Sequence, residues 1–330
     1  MRPFEYASAR TKAQAVGLLG ASFDQAEVLA GGSDLLALMK DDVVRPRRLV
    51  SVKEIPELHE IRAAEGGLSI GALRTLAELA EDREVRRRYP ALWQALDEAA
   101  SPQIRNVATL GGNLCQRPRC WYFRGGHGLL AKGPGGESLV VKGDNRYHAI
   151  LGNSGPAYFV SPSTIAPVLV AYGARVRIHG PKGDRELPVE KFFRVPQSEA
   201  EREHDLQPNE IVTEIVLPSA AGTRGANYEV RQKEAFDWPY ATASTVLRVA
   251  GGKVESARIV LGHVAPVPWI SAEAARAITG KPVNAETAAA AGRAAVEGAR
   301  PLSRNRHKVQ LARVAVARAL LAAASATAAG

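Results

Sequence analysis

Residues 26–36 read Ala26-Glu27-Val28-Leu29-Ala30-Gly31-Gly32-Ser33-Asp34-Leu35-Leu36. The short apolar run 26–30 predicts a buried strand. Gly31 and Gly32 interrupt it, Ser33 and Asp34 are helix-starting residues, and residues 35–40 carry helical spacing. A second apolar run, Arg48-Leu49-Val50-Ser51-Val52, completes a strand, glycine-rich turn, helix, strand order within the first 52 residues. Such a turn aims backbone N–H groups and the positive end of a helix at one point, and glycine lets a bulky anion come close. The spacing is not Gly-x-Gly-x-x-Gly, so a Rossmann nicotinamide site is not indicated. Taken alone, the stretch also fits an ordinary strand–helix turn.

Working outward, residues 12–20 predict a helix, 68–72 a strand, and 75–82 and 91–100 helices, the last broken by Ser101-Pro102. A second glycine pair follows in Asn106-Val107-Ala108-Thr109-Leu110-Gly111-Gly112-Asn113. It reads as a tight backbone nest flanked by the hydrogen-bonding side chains of Thr109 and Asn113, or equally as a surface turn. Two such segments about 80 residues apart, each after a buried run, point to one shared diphosphate ligand more strongly than either alone. Residues 115–150 are rich in Gly, Pro and Arg with little periodicity, the mark of a functional or disordered loop. Strand-like alternation returns at 157–160 and 174–179, with a short helix after Pro167, and 211–218 closes a domain ahead of a linker at 220–223. Strands are then expected at 228–231, 243–250 and 255–261, with Gly251-Gly252 turning between the last two. From Ala285 the chain is Ala-rich and helical, and the low-complexity tail 322–330 is expected to fray.

With 330 residues, 46% of them hydrophobic, the chain supports two or three domains. The net charge of +9 is scattered and lacks zinc-finger or RNP patterns, so nucleic acid is not an expected partner. No run of roughly 18 apolar residues offers a membrane span. The opening residues lack the apolar core of a secretory signal, so the expected location is cytoplasmic, with export on a partner left open. There is no Gly-x-Ser-x-Gly or His-Glu-x-x-His, so no catalytic side chain and no metal site are assigned.

Residues Ala30-Gly31-Gly32-Ser33-Asp34-Leu35 and Thr109-Leu110-Gly111-Gly112-Asn113 resemble the two FAD segments of the molybdenum hydroxylase flavoproteins, the xanthine dehydrogenase, aldehyde oxidoreductase and carbon monoxide dehydrogenase type. Ile70-Gly71-Ala72-Leu73, Pro102-Gln103-Ile104-Arg105-Asn106, Ser161-Pro162-Ser163-Thr164-Ile165-Ala166-Pro167, Glu210-Ile211-Val212 and Gly298-Ala299-Arg300-Pro301-Leu302-Ser303 agree, in family order. The resemblance implies an α+β fold. A PCMH/VAO-type FAD domain occupies 1–220, in two α+β subdomains of about 1–55 and 56–220. A CO dehydrogenase flavoprotein-like domain, a three-stranded sheet with helices, occupies 223–325. It implies FAD held by Leu29, Ala30, Gly31, Gly32, Ser33, Asp34, Leu35, Ala108, Thr109, Gly111, Gly112, Asn113, Thr164, Val212 and Tyr228. Thr164 stands where many relatives carry Asp, and Tyr228 is the candidate for an aromatic near the isoalloxazine.

The 115–150 insert resembles that of a subgroup whose cysteines bind a [4Fe–4S] cluster, through Arg119-Cys120-Trp121-Tyr122-Phe123 and Lys142-Gly143-Asp144-Asn145-Arg146-Tyr147-His148-Ala149. Cys115 and Cys120 are the only cysteines in the chain, short of the four thiolates such a cluster needs, so none is expected. His127 and His148 are read as solvated. The implied partners are a molybdenum-cofactor large subunit and a [2Fe–2S] small subunit, with NAD or another acceptor taking the electrons. Two other readings are a stand-alone VAO-type flavin oxidoreductase and an adaptor that has lost its cofactor.

Overall fold

The computed structural model describes residues 1–64, 66–233 and 236–329. Its first layer is a parallel three-stranded sheet of β1 (Glu5–Ser8), β2 (Ala26–Leu29) and β3 (Arg48–Ser51), in the order β1-β3-β2. Parallel neighbours need a crossover, and the helix Leu35–Lys40 supplies it between β2 and β3, with Val28 opposite Val50. The helix Lys12–Leu18, capped by the Thr11 side chain on the Gln14 N–H, joins β1 to β2.

The second layer is an antiparallel sheet of β4 (Ile61–Ala64), β5 (Gly67–Gly71), β6 (Arg175–Gly180), β7 (Gly183–Pro188) and β8 (Ile211–Leu217), ordered β4-β5-β8-β6-β7. The helices Leu76–Glu81, Pro90–Glu98 and Ile165–Tyr172 share its core, where Ile70, Leu92, Leu96, Val168 and Ile215 are fully buried. Every residue of Ile165–Tyr172 is buried, which its uniformly apolar sequence requires.

The C-terminal part carries β9 (Thr223–Val230), β10 (Ala241–Ala250), β11 (Lys253–Gly262) and the two-residue edge strand β12 (Trp269–Ile270), in the order β12-β11-β10-β9. Three long strands thus form the expected sheet, with β12 added. Gly251 and Gly252 both take positive φ, +55° and +75°, as a two-residue hairpin turn demands. The helices Ala272–Ile278, Ala285–Ala294 and His307–Ser325 cover one face; Ala312, Ala315, Ala319 and Ala323 give the last of these a thin stripe that seats closely on β9 and β10.

Several expectations are corrected. Residues 157–160 form no strand: Ala157 and Phe159 bury their side chains beside Leu38 and Phe123, and the Tyr158 carbonyl accepts a single bond from the Ala149 N–H. The linker is shorter than read, because Thr223 already opens β9. The tail is docked rather than frayed: Ala329 exchanges backbone bonds with Gly222 and Thr223 and is 7% exposed, Gly330 lying outside the described residues. The short strands β1, β4, β7 and β12 were not foreseen.

Candidate functional site

β2 ends at Leu29, and the chain turns through Ala30 and Gly31 into Gly32, whose φ of +73° is a conformation that L side chains rarely adopt. The Leu36 N–H donates to the Gly32 carbonyl and opens the following helix. Among the described residues, no acceptor takes the backbone N–H of Gly31, Gly32, Ser33 or Asp34. Four consecutive donors are therefore left at one turn, an arrangement that suits an anion.

The second glycine pair folds differently from the nest expected of it. Gly111 and Gly112 lie in the first turn of the helix Leu110–Cys115, and the Thr109 hydroxyl caps it by accepting from the Gly112 N–H at 3.1 Å. The Leu110, Gly111 and Asn113 amides are likewise used, by the carbonyls of Arg74, Ala72 and Thr109. What this segment offers is shape and side chains. Asn113 Oδ1 accepts from Ser163 at 2.6 Å, and Ser163 in turn accepts from the Ala166 N–H, so Asn113 is fixed against the start of the helix Ile165–Tyr172.

The two segments touch. A Cβ on Gly31 would stand 1.8 Å from the Val107 carbonyl oxygen, and one on Gly111 would stand 2.8 Å from Ala72 Cβ. Both glycines serve close approach of chain to chain. Together they wall one cavity of about 600 Å³, within the usual size of cofactor and ligand sites. Ala30, Gly31, Gly32, Ser33, Asp34, Leu35, Ala108, Thr109, Gly111, Gly112, Asn113, Thr164 and Val212 line it.

Two expected residues stand elsewhere. Leu29 turns away to pack on Met39 and Leu49. Tyr228 is on the wrong side of β9: side chains alternate along a strand, so Glu229 lines the cavity while Tyr228 faces the C-terminal core, where Arg318 donates to its hydroxyl. Trp238 and Phe236, from the turn between β9 and β10, line the cavity, as does Phe23.

Charge around the cavity is largely pre-paired. Arg117 holds Glu203 at 2.8 Å and Arg202 holds Glu27 at 2.6 Å. Asp34 is engaged with the insert: it accepts from the Arg117 N–H at 2.8 Å, from Arg119 at 2.6 Å and from Arg124 at 2.7 Å. Burial pushes the Glu229 carboxyl up to about 7, with Arg231 opposing and Glu98 reinforcing the shift. Cys115 and His204 also line the cavity. Burial, reinforced by Glu27, raises the Cys115 thiol to about 12, and burial beside Arg202 and Arg117 lowers the His204 imidazole to about 3, so both are neutral near pH 7.

The sequence reading missed Arg117, Arg119, Arg202, His204, Glu229 and Trp238, all brought to the cavity from segments distant in the chain. The insert is partly ordered by short helices, Trp121–Arg124 and Leu139–Lys142, and much of it is buried. His127 is exposed, as read. His148 is a correction: it is 3% exposed, 3.1 Å from Cys120 Sγ and packed edge-on to Trp121. Among the described residues no three His, Cys, Asp or Glu side chains gather as a metal site, and no helix is long and apolar enough to cross a membrane.

Residues 2–220 match the family described as the FAD binding domain in molybdopterin dehydrogenase, and 226–327 match the CO dehydrogenase flavoprotein C-terminal domain. The aldehyde oxidoreductase FAD-binding subunit PaoB of Escherichia coli (strain K12) is 33% identical over 272 residues, 82% of this chain and 84% of that protein. The carbon monoxide dehydrogenase medium chain of Hydrogenophaga pseudoflava is 30% identical over 324 residues, 97% of this chain and 96% of that one. A solved structure of the Hydrogenophaga pseudoflava enzyme lacking the Mo-pyranopterin moiety superposes with a TM-score of 0.76 at 31% identity, covering 98% of each chain. Unspent amides, close-approach glycines and both family matches converge: the chain belongs to the FAD-binding subunits of the molybdenum-hydroxylase-type dehydrogenases, the flavoprotein component of an oxidoreductase.

Proposed function

We propose that FAD lies extended in this cavity with its diphosphate on the N–H groups of Gly31, Gly32, Ser33 and Asp34. Ala108, Thr109, Gly111, Gly112, Asn113, Thr164 and Val212 then flank the rest of it. The observation that carries this reading is the row of four backbone donors without acceptors, at the wall that both glycine segments share. An anion accepting those donors forms charge-assisted hydrogen bonds in a partly dry site.

Bound FAD supplies reversible two-electron chemistry, and the protein positions and tunes it. The chain's own residues have separate tasks. The 31–34 amides anchor the cofactor. Asn113, held by Ser163, keeps the helix Leu110–Cys115 in place along it. Trp238 and Phe236 provide apolar surface at the C-terminal side. A protonated Cys115 thiol and a neutral, buried His204 are poorly suited to a covalent link to the flavin, which favours non-covalent binding.

In this reading the chain receives electrons from the [2Fe–2S] clusters of a small partner subunit, fed by a molybdenum-cofactor large subunit where the substrate is oxidised. It hands them to NAD or another external acceptor. The partners are inferred from relatives named as medium chains and FAD-binding subunits. A cytoplasmic location, a FAD-binding domain at 1–220 with the subdomain split near residue 55, and a C-terminal domain at 223–325 belong to the same proposal. The test is to co-express the chain with its partner subunits and measure flavin released per chain on denaturation. One FAD per chain is expected; a complex with no blue-absorbing flavin refutes the reading.

A further inference from the structure

Arg119 belongs to the 115–150 insert, outside both glycine segments, yet it lines the cavity. Its guanidinium is held on three sides. Nη1 donates to Asp34 at 2.6 Å, Nη2 donates to Gln116 at 3.1 Å, and the plane lies over the Trp238 ring, 4.9 Å from its centroid. The remaining nitrogen, Nε, is buried and meets no acceptor among the described residues. A buried N–H without an acceptor is costly, and the cost is recovered when a ligand oxygen arrives.

The local charge count points to the kind of ligand. Asp34 is one carboxylate shared by two guanidiniums, Arg119 and Arg124, so the cluster carries surplus positive charge. Arg124 also donates to the carbonyls of Pro118 and Arg117 and does not line the cavity, so of the two guanidiniums on Asp34 it is Arg119 that faces it. Asp34 is also the last residue of the turn with the unspent amides, so it sets the guanidinium beside them. A planar fork fixed in this way loses little freedom on binding an anion.

We propose that Arg119 is a cofactor-contact residue, its charge and its Nε–H engaging the diphosphate of bound FAD, and that the insert serves to hold it there. The proposal rests on the FAD reading of the cavity and adds to it a residue from outside the glycine motifs.

The experiment uses the assembled complex stripped of flavin and titrated with FAD, ADP and adenosine, for the wild type and for Arg119→Gln and Arg119→Lys. Arg119→Gln is expected to weaken FAD and ADP by about tenfold or more and to leave adenosine within about twofold, with Arg119→Lys between. The melting temperature of each stripped complex checks that folding is intact. If Arg119→Gln changes ADP and adenosine equally, or changes neither, the assignment is overturned. Should that variant fail to assemble, the salt dependence of the wild type decides: ADP binding must fall with salt more steeply than adenosine binding, and equal slopes overturn the proposal. A wild-type complex that takes up no FAD at all sinks the cavity reading itself, a result distinct from an insensitive Arg119 variant.

Discussion

Replacing Gly31 by alanine puts a methyl group 1.8 Å from the Val107 carbonyl oxygen and 2.7 Å from its carbon, against the 3.4 Å at which ordinary contact begins. The obstacle is backbone, so no side-chain rotation relieves it. The turn must back away from residues 107–108 by more than an ångström, or the second segment must yield. The second segment is tied by the bonds of Leu76 to Ala108, Leu110 to Arg74 and Gly111 to Ala72, so the 31–34 turn gives way. Overpacking of this kind costs about 1–3 kcal/mol in stability. With the diphosphate placed on these amides as proposed, turning two of the four away forfeits about 1.5 kcal/mol each, roughly a hundredfold in FAD affinity. The assay is flavin content per chain in the purified complex, with a titration of stripped complex and a thermal melt. Gly17→Ala is the control: Gly17 lies in the helix Lys12–Leu18 with nothing within 4 Å, and the change should add about 0.5–1 kcal/mol of stability and leave flavin alone. A Gly31→Ala complex with wild-type flavin content and affinity would falsify the reasoning, since the close approach of the two segments would then be irrelevant to binding.

Lys308→Met should destabilise the C-terminal part by about 3 kcal/mol, because the fully buried ammonium donates to the carbonyls of Tyr147, His148 and His263, which would lose their donor together; a melt within a degree of wild type contradicts this. Acid should destabilise the fold, because burial holds His204 and His263 at about 3 and His148 at about 4 while the unfolded forms bind protons from 6.5 downward. Stability is therefore expected to fall as pH drops below 6.5, and a flat pH–stability curve between 6.5 and 4.5 would refute it. Glu229 acts in the opposite sense: its carboxyl, raised from 4.5 to about 7, binds a proton in the folded state that the unfolded state has released, so stability is lost as pH rises from 4.5 through 7. Glu229→Gln should remove roughly 2–3 kcal/mol of that loss, so the variant's unfolding free energy should rise relative to the wild type's by that amount between pH 5 and pH 8, and an unchanged offset between the two at both pH values refutes it.

The parts of the fold that were legible in the sequence are those whose signal is local. The β2–turn–helix–β3 unit shows itself because Gly31-Gly32 separates two runs of different period, and the Gly251-Gly252 hairpin because only positive φ closes it. The cavity wall formed by both glycine segments follows from the paired motif. What failed is what depends on neighbours. Residues 157–160 alternate like a strand but have no partner strand, so burial alone sets their pattern. Tyr228 was placed without the register of β9, and a shift of one residue exchanges it for Glu229. The docked tail could not be read from an Ala/Ser/Thr composition, since it is held by backbone bonds to Gly222 and Thr223 that carry no side-chain signature.

Asp34 shows why a motif residue need not play the part that its position implies. It sits at the N-cap position, but its carboxylate makes no side-chain bond to its own helix and has turned instead to three groups of the insert. Those bonds tie residues 117–124 to the turn whose amides await an acceptor, so the order of the insert and the shape of the turn depend on one side chain. With Cys115 at the cavity and Cys120 beside His148, the two thiols stand in separate surroundings and share no site. The sequence around them, Arg117 to Arg124, therefore has its physical reason in the guanidiniums rather than in sulfur. Two of them meet Asp34, the third meets Glu203, and Arg119 alone both stacks on Trp238 and keeps a buried donor free.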